Sequence, residues 1–237
     1  MHELDTVPPT NPQVAPTVGA ADMSAMAARV AATLRNRIVR GQLAPRARII
    51  ERQVSAELAV SRTPVREALK LLEADGLIEI SRNRGAQVTG YSPAVARNLF
   101  DVIAVLEGLA AERLAKTITP LLLAKFEGLH AEMLSHYRAR ALDPYFDVNS
   151  AIHDLIITSV CNPDLSESHR RLMLRARRGR FLAILGADRW AQSIEEHEVL
   201  MQALRDGNGP AAFAGWRIHL THTGDTVAAV LEERGEA

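Results

Sequence analysis

Three histidines, His153, His197 and His219, stand beside apolar residues at helical spacing: Ile152 and Ile156, Leu200 and Leu204, Trp216 and Leu220. A lone histidine on such a face is ordinarily a hydrogen-bonded core residue. Three on separate helices that converge have another use, because imidazole is a common ligand of zinc and its neighbours. Asn149 precedes His153 by one helical turn, so both project from one face. A second set suits a different partner. In the stretch Val60 to Leu69, Ser61 and Thr63 offer oxygens to cap a helix start, and Pro64 fits a first turn. Val65, Ala68, Leu69 and Leu72 make one apolar face; Arg62, Thr63, Arg66 and Lys70 crowd the leading end of the other. Arginines and hydroxyls so placed suit a DNA major groove, where guanidinium grips guanine edges and amide ends meet phosphate. The plainer reading is a solvated charged face.

Each set needs a frame. A helix is expected over roughly 24–41, with Val30, Leu34 and Ile38 inward and Gly41 as its stop. A short helix over 50–58 precedes the arginine-bearing one. Beyond Asp75-Gly76, residues 77–80 and 86–89 read as two strands joined by Arg82, Asn83, Arg84 and Gly85. Helix, helix, helix, hairpin is a winged helix-turn-helix whose basic hairpin tip reaches an adjacent groove. From Ser92-Pro93 onward strand signals vanish. Helices are expected at about 93–116, 120–141, 145–160, 164–186, 190–206 and 210–233, with breaks at Asp143-Pro144, Asn162-Pro163, Gly186-Asp188 and Gly207-Pro210. Six helices with short connections make an antiparallel bundle, so the chain reads as mostly α. The organisation is a disordered tail (1–22), a winged domain (23–90) and a helical domain (93–234).

At 237 residues, with 47% hydrophobic and 24% charged, the chain has the composition of a soluble globular protein of two modest domains. No apolar run approaches the ~20 residues that span a bilayer. Residues 1–5 lack signal-peptide features, and the single cysteine, Cys161, allows no internal disulfide; a cytoplasmic location with no membrane partner is expected. Cys161 reads as small helix-end packing. The net charge of zero conceals an asymmetry. Residues 29–90 hold 12 Lys and Arg against 6 Asp and Glu, while the remainder holds 16 against 22. A basic module beside an acidic one fits a DNA-contacting domain joined to something else.

The stretch running from Leu34-Arg35, Ile38, Gly41, Leu43 and Pro45, through Glu51, Val54, Leu58 and Val60 to Leu69, to Leu72-Glu73, Gly76-Leu77-Ile78 and Gly85, resembles the N-terminal domain of GntR bacterial transcription regulators. The resemblance covers about residues 26–90. It implies DNA contacts at Arg52, Arg62, Thr63, Arg66 and the hairpin tip from Arg82 through Asn83 to Gly85, with Ser61 beside them. Arg46 stands where the family usually places glycine. Leu106-Glu107, Ile152-His153, Glu196-His197 and His219-Leu220 in the helical domain are similar to the FCD subgroup, which binds small organic acids. That resemblance implies a divalent metal, zinc or nickel, held by His153, His197, His219 and an aspartate one turn before the first histidine. Asn149 occupies that position, so metal affinity is expected to fall, and His222, one turn beyond His219, is a substitute ligand. Ile103 replaces an arginine that meets a carboxylate in the subgroup; Arg171 and Arg175 are candidate replacements.

The leading expectation is a sequence-specific transcription regulator whose operator affinity is set by a small organic-acid effector. It would act as a homodimer on an inverted repeat, since one reading helix covers too few base pairs to select a site. The alternative is a zinc-dependent enzyme built on the three histidines. His197-Glu198-x-x-Met201 approaches the zinc-protease signature, but methionine takes the second histidine position. A third reading makes the bundle a dimerisation module alone.

Overall fold

The structure, a computed structural model, describes residues 20–82 and 85–235. Val30, Leu34 and Ile38 bury one side of α1 (Ala20–Val39), whose partner is α3 (Arg62–Ala74) through Val65, Ala68 and Leu72. Between them runs α2 (Glu51–Glu57), anchored by Val54. A three-stranded antiparallel sheet closes this unit: β1 (Arg48–Ile49), β2 (Ile78–Ser81) and β3 (Gly85–Val88), in the order β1-β3-β2. Ile78 pairs with Val88 and Ile80 with Ala86 across the wing. Together they enclose one apolar core of Val30, Leu34, Ile38, Val54, Leu72 and their neighbours.

Helix α1 starts four residues before the expected position, so the last residues of the expected tail, Ala20 to Asp22, are helical; the rest of the tail lies outside the described residues. Strand β1 was not expected. Two residues offer no alternation to read, and β1 exists because it pairs with β3, Arg48 opposite Gln87. Arg46, at the family's glycine position, has φ +61°. The turn therefore keeps the left-handed backbone that glycine adopts freely and a side chain resists.

Six helices follow: α4 (Pro93–Thr117), α5 (Pro120–Arg138), α6 (Leu142–Ser159), α7 (Pro163–Ala183), α8 (Ala187–Arg205) and α9 (Gly209–Glu233). Four of them start on a side-chain cap followed by proline, with Ser92, Thr119, Asn162 and Asn208 each accepting a backbone N–H. The expected break at Asp143-Pro144 is instead inside the first turn of α6, where proline gives up no helical hydrogen bond. Cys161 does not pack against a helix end; it is exposed, with φ +49°, just past α6. The long helices α4 and α9 lie against each other through glycines, Gly108 on Phe213 and Gly224 on Phe100. A second core, including Phe100, Tyr145, Trp216 and Leu220, fills the bundle.

The two units meet at α7 and α6. Gly179 of α7 approaches the ring of Tyr91, and Arg175 approaches Gly76 at the end of α3. Arg40, just past α1, pairs with Asp143 and, at 2.8 Å, Asp147 of α6, and lies over the rings of Phe146 and Phe181. Between the units runs a cleft of about 430 Å³ lined by Leu77, Glu79, Thr89, Tyr91, Arg175 and Arg178.

Candidate nucleic-acid interface and metal centre

Arg62 and Thr63 are exposed at the leading end of α3, where the sequence places them. Arg66 follows one turn later, its side chain 60% exposed and its Nε donating to Glu51 at 2.9 Å. Ser61 is the cap residue by position, but neither its hydroxyl nor that of Thr63 makes the expected cap bond; both remain exposed and available to a partner. With Arg48 and Arg52, the arginines of α3 and Lys70 border a groove of about 550 Å³ that ends at Gly85 of the wing. Arg82 is exposed at the start of the wing tip, and Gly85 leaves it at φ +68°. Asn83 lies outside the described residues. Arg48 was missed by sequence reasoning because it sits on the unexpected β1. The face is cationic, convex at α3 and flanked by the wing, which is the geometry for phosphate and base-edge contacts.

Inside the bundle, α6 supplies Asn149 and His153, α8 supplies His197, and α9 supplies His219, all buried. The structure brings the three imidazoles together, with one ring nitrogen from each within 4.8 Å of the others. Trp216 stacks on His219 at 4.5 Å between centroids. Each cluster histidine has a reason to be neutral. Burial holds His153 down to about 3, with Arg180 reinforcing it and Glu107 opposing. Burial lowers His219 to about 4 against its bond to Glu196, and takes His197 well below the usual range. Neutral imidazole is the form that ligates metal.

Carboxylates orient two of these rings. Glu107, on α4 and fully buried, lies 2.5 Å from His153 Nδ1, 2.8 Å from His169 Nε2 and 2.9 Å from Trp216 Nε1. Burial works against its ionisation, but the histidine partners prevail and hold it well below the carboxylate range. Glu196 does the same for His219 Nδ1 at 2.6 Å. A carboxylate on Nδ1 places the hydrogen there and leaves Nε2 as a ligand. The Nε2 atoms of His153 and His197 and Asn149 Oδ1 are buried without hydrogen-bond partners among the described residues. The donor set therefore fits a divalent borderline metal, with three imidazoles and one amide oxygen.

His222 is not a substitute ligand. Its Nδ1 lies 2.7 Å from Glu196, outside the cluster, and its side chain is partly exposed. Arg171 and Arg175 are not replacements for the missing arginine either: Arg171 is exposed and bound to Glu167, and Arg175 faces Gly76. Ile103 is simply core. The guanidiniums near the histidines are Arg180 of α7 and Arg189 of α8, both buried. Arg189 donates to the His219 carbonyl and Thr223 and pairs with Glu196 at 2.9 Å. Neither terminal nitrogen of Arg180 has a hydrogen-bond partner among the described residues, and burial pulls its pKa down to about 10 despite Glu107 and Asp154. The sequence held a signal for it: Arg180 continues the buried stripe of Met173 and Ala176 at helical spacing. A void of about 10 Å³, room for one water, lies between Asn149, Arg180, Ser193 and His219.

The FCD domain model matches residues 98–222, about half the chain, and the model of bacterial regulatory proteins of the gntR family matches residues 26–88. The chain belongs to the GntR family. This GntR protein is a DNA-binding transcription regulator with an FCD domain behind its winged helix-turn-helix. It is 28% identical over 205 residues to the HTH-type transcriptional repressor RspR of Escherichia coli K12, covering 86% of this chain and 89% of RspR. It is 43% identical over 94 residues to the gluconate operon transcriptional repressor of Bacillus subtilis, 39% of this chain and 38% of that one. Its fold matches E. coli McbR/YncC at TM-score 0.73 and 21% identity, over 89% of this chain and 98% of the other. No described helix of this GntR regulator is long and apolar enough to cross a membrane.

Proposed function

We propose that this GntR regulator is a homodimer that reads an inverted-repeat operator and releases or grips it according to a small organic acid sensed beside a metal in its FCD domain. The observation that carries the sensing half is the convergence of three buried imidazoles, two of them with an Nε2 that has no partner among the described residues, beside a void lined by His219, Asn149 and Arg180. The relative named for the gluconate operon makes a hydroxycarboxylate a reasonable first effector to try. A zinc enzyme fits less well. Metal hydrolases keep a free carboxylate as general base, whereas Glu107 and Glu196 are both committed to histidine Nδ1 atoms.

Exposed apolar residues on the bundle support dimerisation: Val102 and Val105, with Leu106 and Leu109 half-buried, form a stripe along α4. Light scattering is expected to give a dimer free and on DNA; a monomer in both states rejects this part. For the metal, Asn149→Asp adds a negative ligand one turn from His153. It is expected to tighten zinc or nickel by about 10–100-fold in calorimetry after chelator treatment. Equal affinities would place residue 149 outside the coordination shell. Operator binding itself is tested by anisotropy with DNA from upstream of the regulator's own gene; binding indifferent to sequence at fixed salt would reject the reading-head assignment.

A further inference from the structure

The cleft of about 430 Å³ between the reading head and the bundle has one wall from each unit and the size of a small-molecule site. Glu73 and Glu79 stand on the head's side, near the end of α3 and on β2, and Arg175 and Arg178 stand on α7. Tyr91 enters from the connection between β3 and α4. The two walls are therefore of opposite charge.

The phenol of Tyr91 is the group that the fold itself does not use. Tyr91 is 8% exposed, and its hydroxyl has no hydrogen-bond partner among the described residues. A buried hydroxyl left so costs free energy that a phenylalanine ring would not. Gly179 of α7 makes room for it, since a Cβ there would lie 3.0 Å from the hydroxyl oxygen. Burial raises the Tyr91 pKa, with Arg175 and Arg178 opposing, so the group is a hydrogen-bond donor at neutral pH. On the same helix Arg170, Arg171 and Arg177 are each paired with a carboxylate. Arg175 is exposed and makes no ion pair among the described residues, its stem running past Gly76.

A simple anion suits only half of this cleft. The guanidiniums and the phenol attract it, but Glu73 and Glu79 oppose it at close range. A simple cation meets the reverse. Glu73 gives Oε1 to the Ile80 N–H at 2.9 Å and keeps its second oxygen, and Glu79 is exposed on β2.

We infer that the cleft binds a small zwitterion, its carboxylate on Tyr91, Arg175 and Arg178 and its amine on Glu73 and Glu79. The site is separate from the histidine cluster and stands whether or not that cluster holds a metal. A carboxylate accepts from a guanidinium fork and a phenol together, and an ammonium donates to carboxylates, so each end meets a charged partner. The ligand class is an amino acid or ω-amino acid. Because the walls belong to different units, its two ends tie the head to the bundle.

The test is calorimetry on the chelator-treated full chain with glycine, γ-aminobutyrate and ε-aminocaproate, beside butyrate and butylamine, which carry one charged end each. At least one zwitterion is expected to bind about tenfold or more tightly than either single-ended probe, the gain from a second charged hydrogen-bonded end. Arg175→Gln, at an exposed position, and Tyr91→Phe, which removes only the unbonded hydroxyl, are each expected to weaken that zwitterion by about tenfold. The urea midpoint holds in the first and holds or rises in the second. Glu79→Gln weakens the zwitterion but strengthens butyrate, which separates the two walls. Butyrate that matches the best zwitterion in the wild type overturns the acidic wall and the ligand class with it. Full affinity in both Arg175→Gln and Tyr91→Phe places the ligand elsewhere and overturns the site. A lower urea midpoint in Tyr91→Phe with binding intact gives the hydroxyl a structural role and overturns its assignment. No heat from any probe overturns the inference outright, and leaves the metal reading of the histidines as it was.

Discussion

At the scale of single residues, the DNA face and the histidine cluster differ in how their chemistry is held. Arg62 projects freely, whereas Arg66 leans on Glu51 and must exchange that partner for DNA. Arg62→Ala and Arg66→Ala are both expected to weaken specific operator binding by ~1–3 kcal/mol at fixed salt, with the larger effect at Arg62 because no internal pair is lost in compensation. Gel-shift titration against a competitor duplex checks the order; unchanged affinity in both would remove α3 from the groove. The histidines were legible because each stands on an apolar stripe, and Asn149 because the resemblance points to the position one turn before His153. Arg180 was not, since charge suggests surface and only its register with Met173 and Ala176 tells otherwise. Its role depends on α7 meeting α6 and α9, a long-range fact that no local pattern contains.

At the scale of elements, the sequence announced most helix starts, because cap-plus-proline is a local device. It could not announce β1, which exists only through pairing, or the tight seam between α4 and α9. A Cβ at Gly224 would lie 2.6 Å from Phe100 Cβ, so the two helices approach too closely for any side chain there. Gly224→Ala is expected to destabilise the bundle by roughly 1–3 kcal/mol through overpacking, a fall in the urea midpoint. The seam is also where Glu107 reaches Trp216, so separating the helices disturbs the shell around His153. Helix α6 has a double assignment. It presents Asn149 and His153 to the cluster and, in its first turns, Asp143 and Asp147 to Arg40 at the base of the reading head. Arg40→Ala is expected to leave unliganded operator affinity within about twofold but to blunt the change on adding nickel, since surface pairs add little stability yet this one joins the reading head to the helix that carries Asn149 and His153. Anisotropy on the wild type and Arg40→Ala, with and without nickel, reads it; an undiminished response would place the connection elsewhere, along α7.

At the scale of the whole molecule, a basic reading head and an acidic bundle meet across a polar, partly open junction, while the histidine cluster sits deep in the bundle core. Depth has a consequence in time. The void beside His219 has room for one water, so a larger ligand would enter only once the helices part. Entry is then paced by opening, on the microsecond-to-second range of such motions, rather than by collision. In stopped-flow mixing, Trp216 stacked on His219 is a built-in reporter, and its fluorescence is expected to relax at a rate that levels off as nickel is raised. A rate climbing linearly throughout would mean the cluster is already open to solvent. With the plateau, the regulator ignores effector pulses shorter than its own opening interval, and responds to supply that lasts.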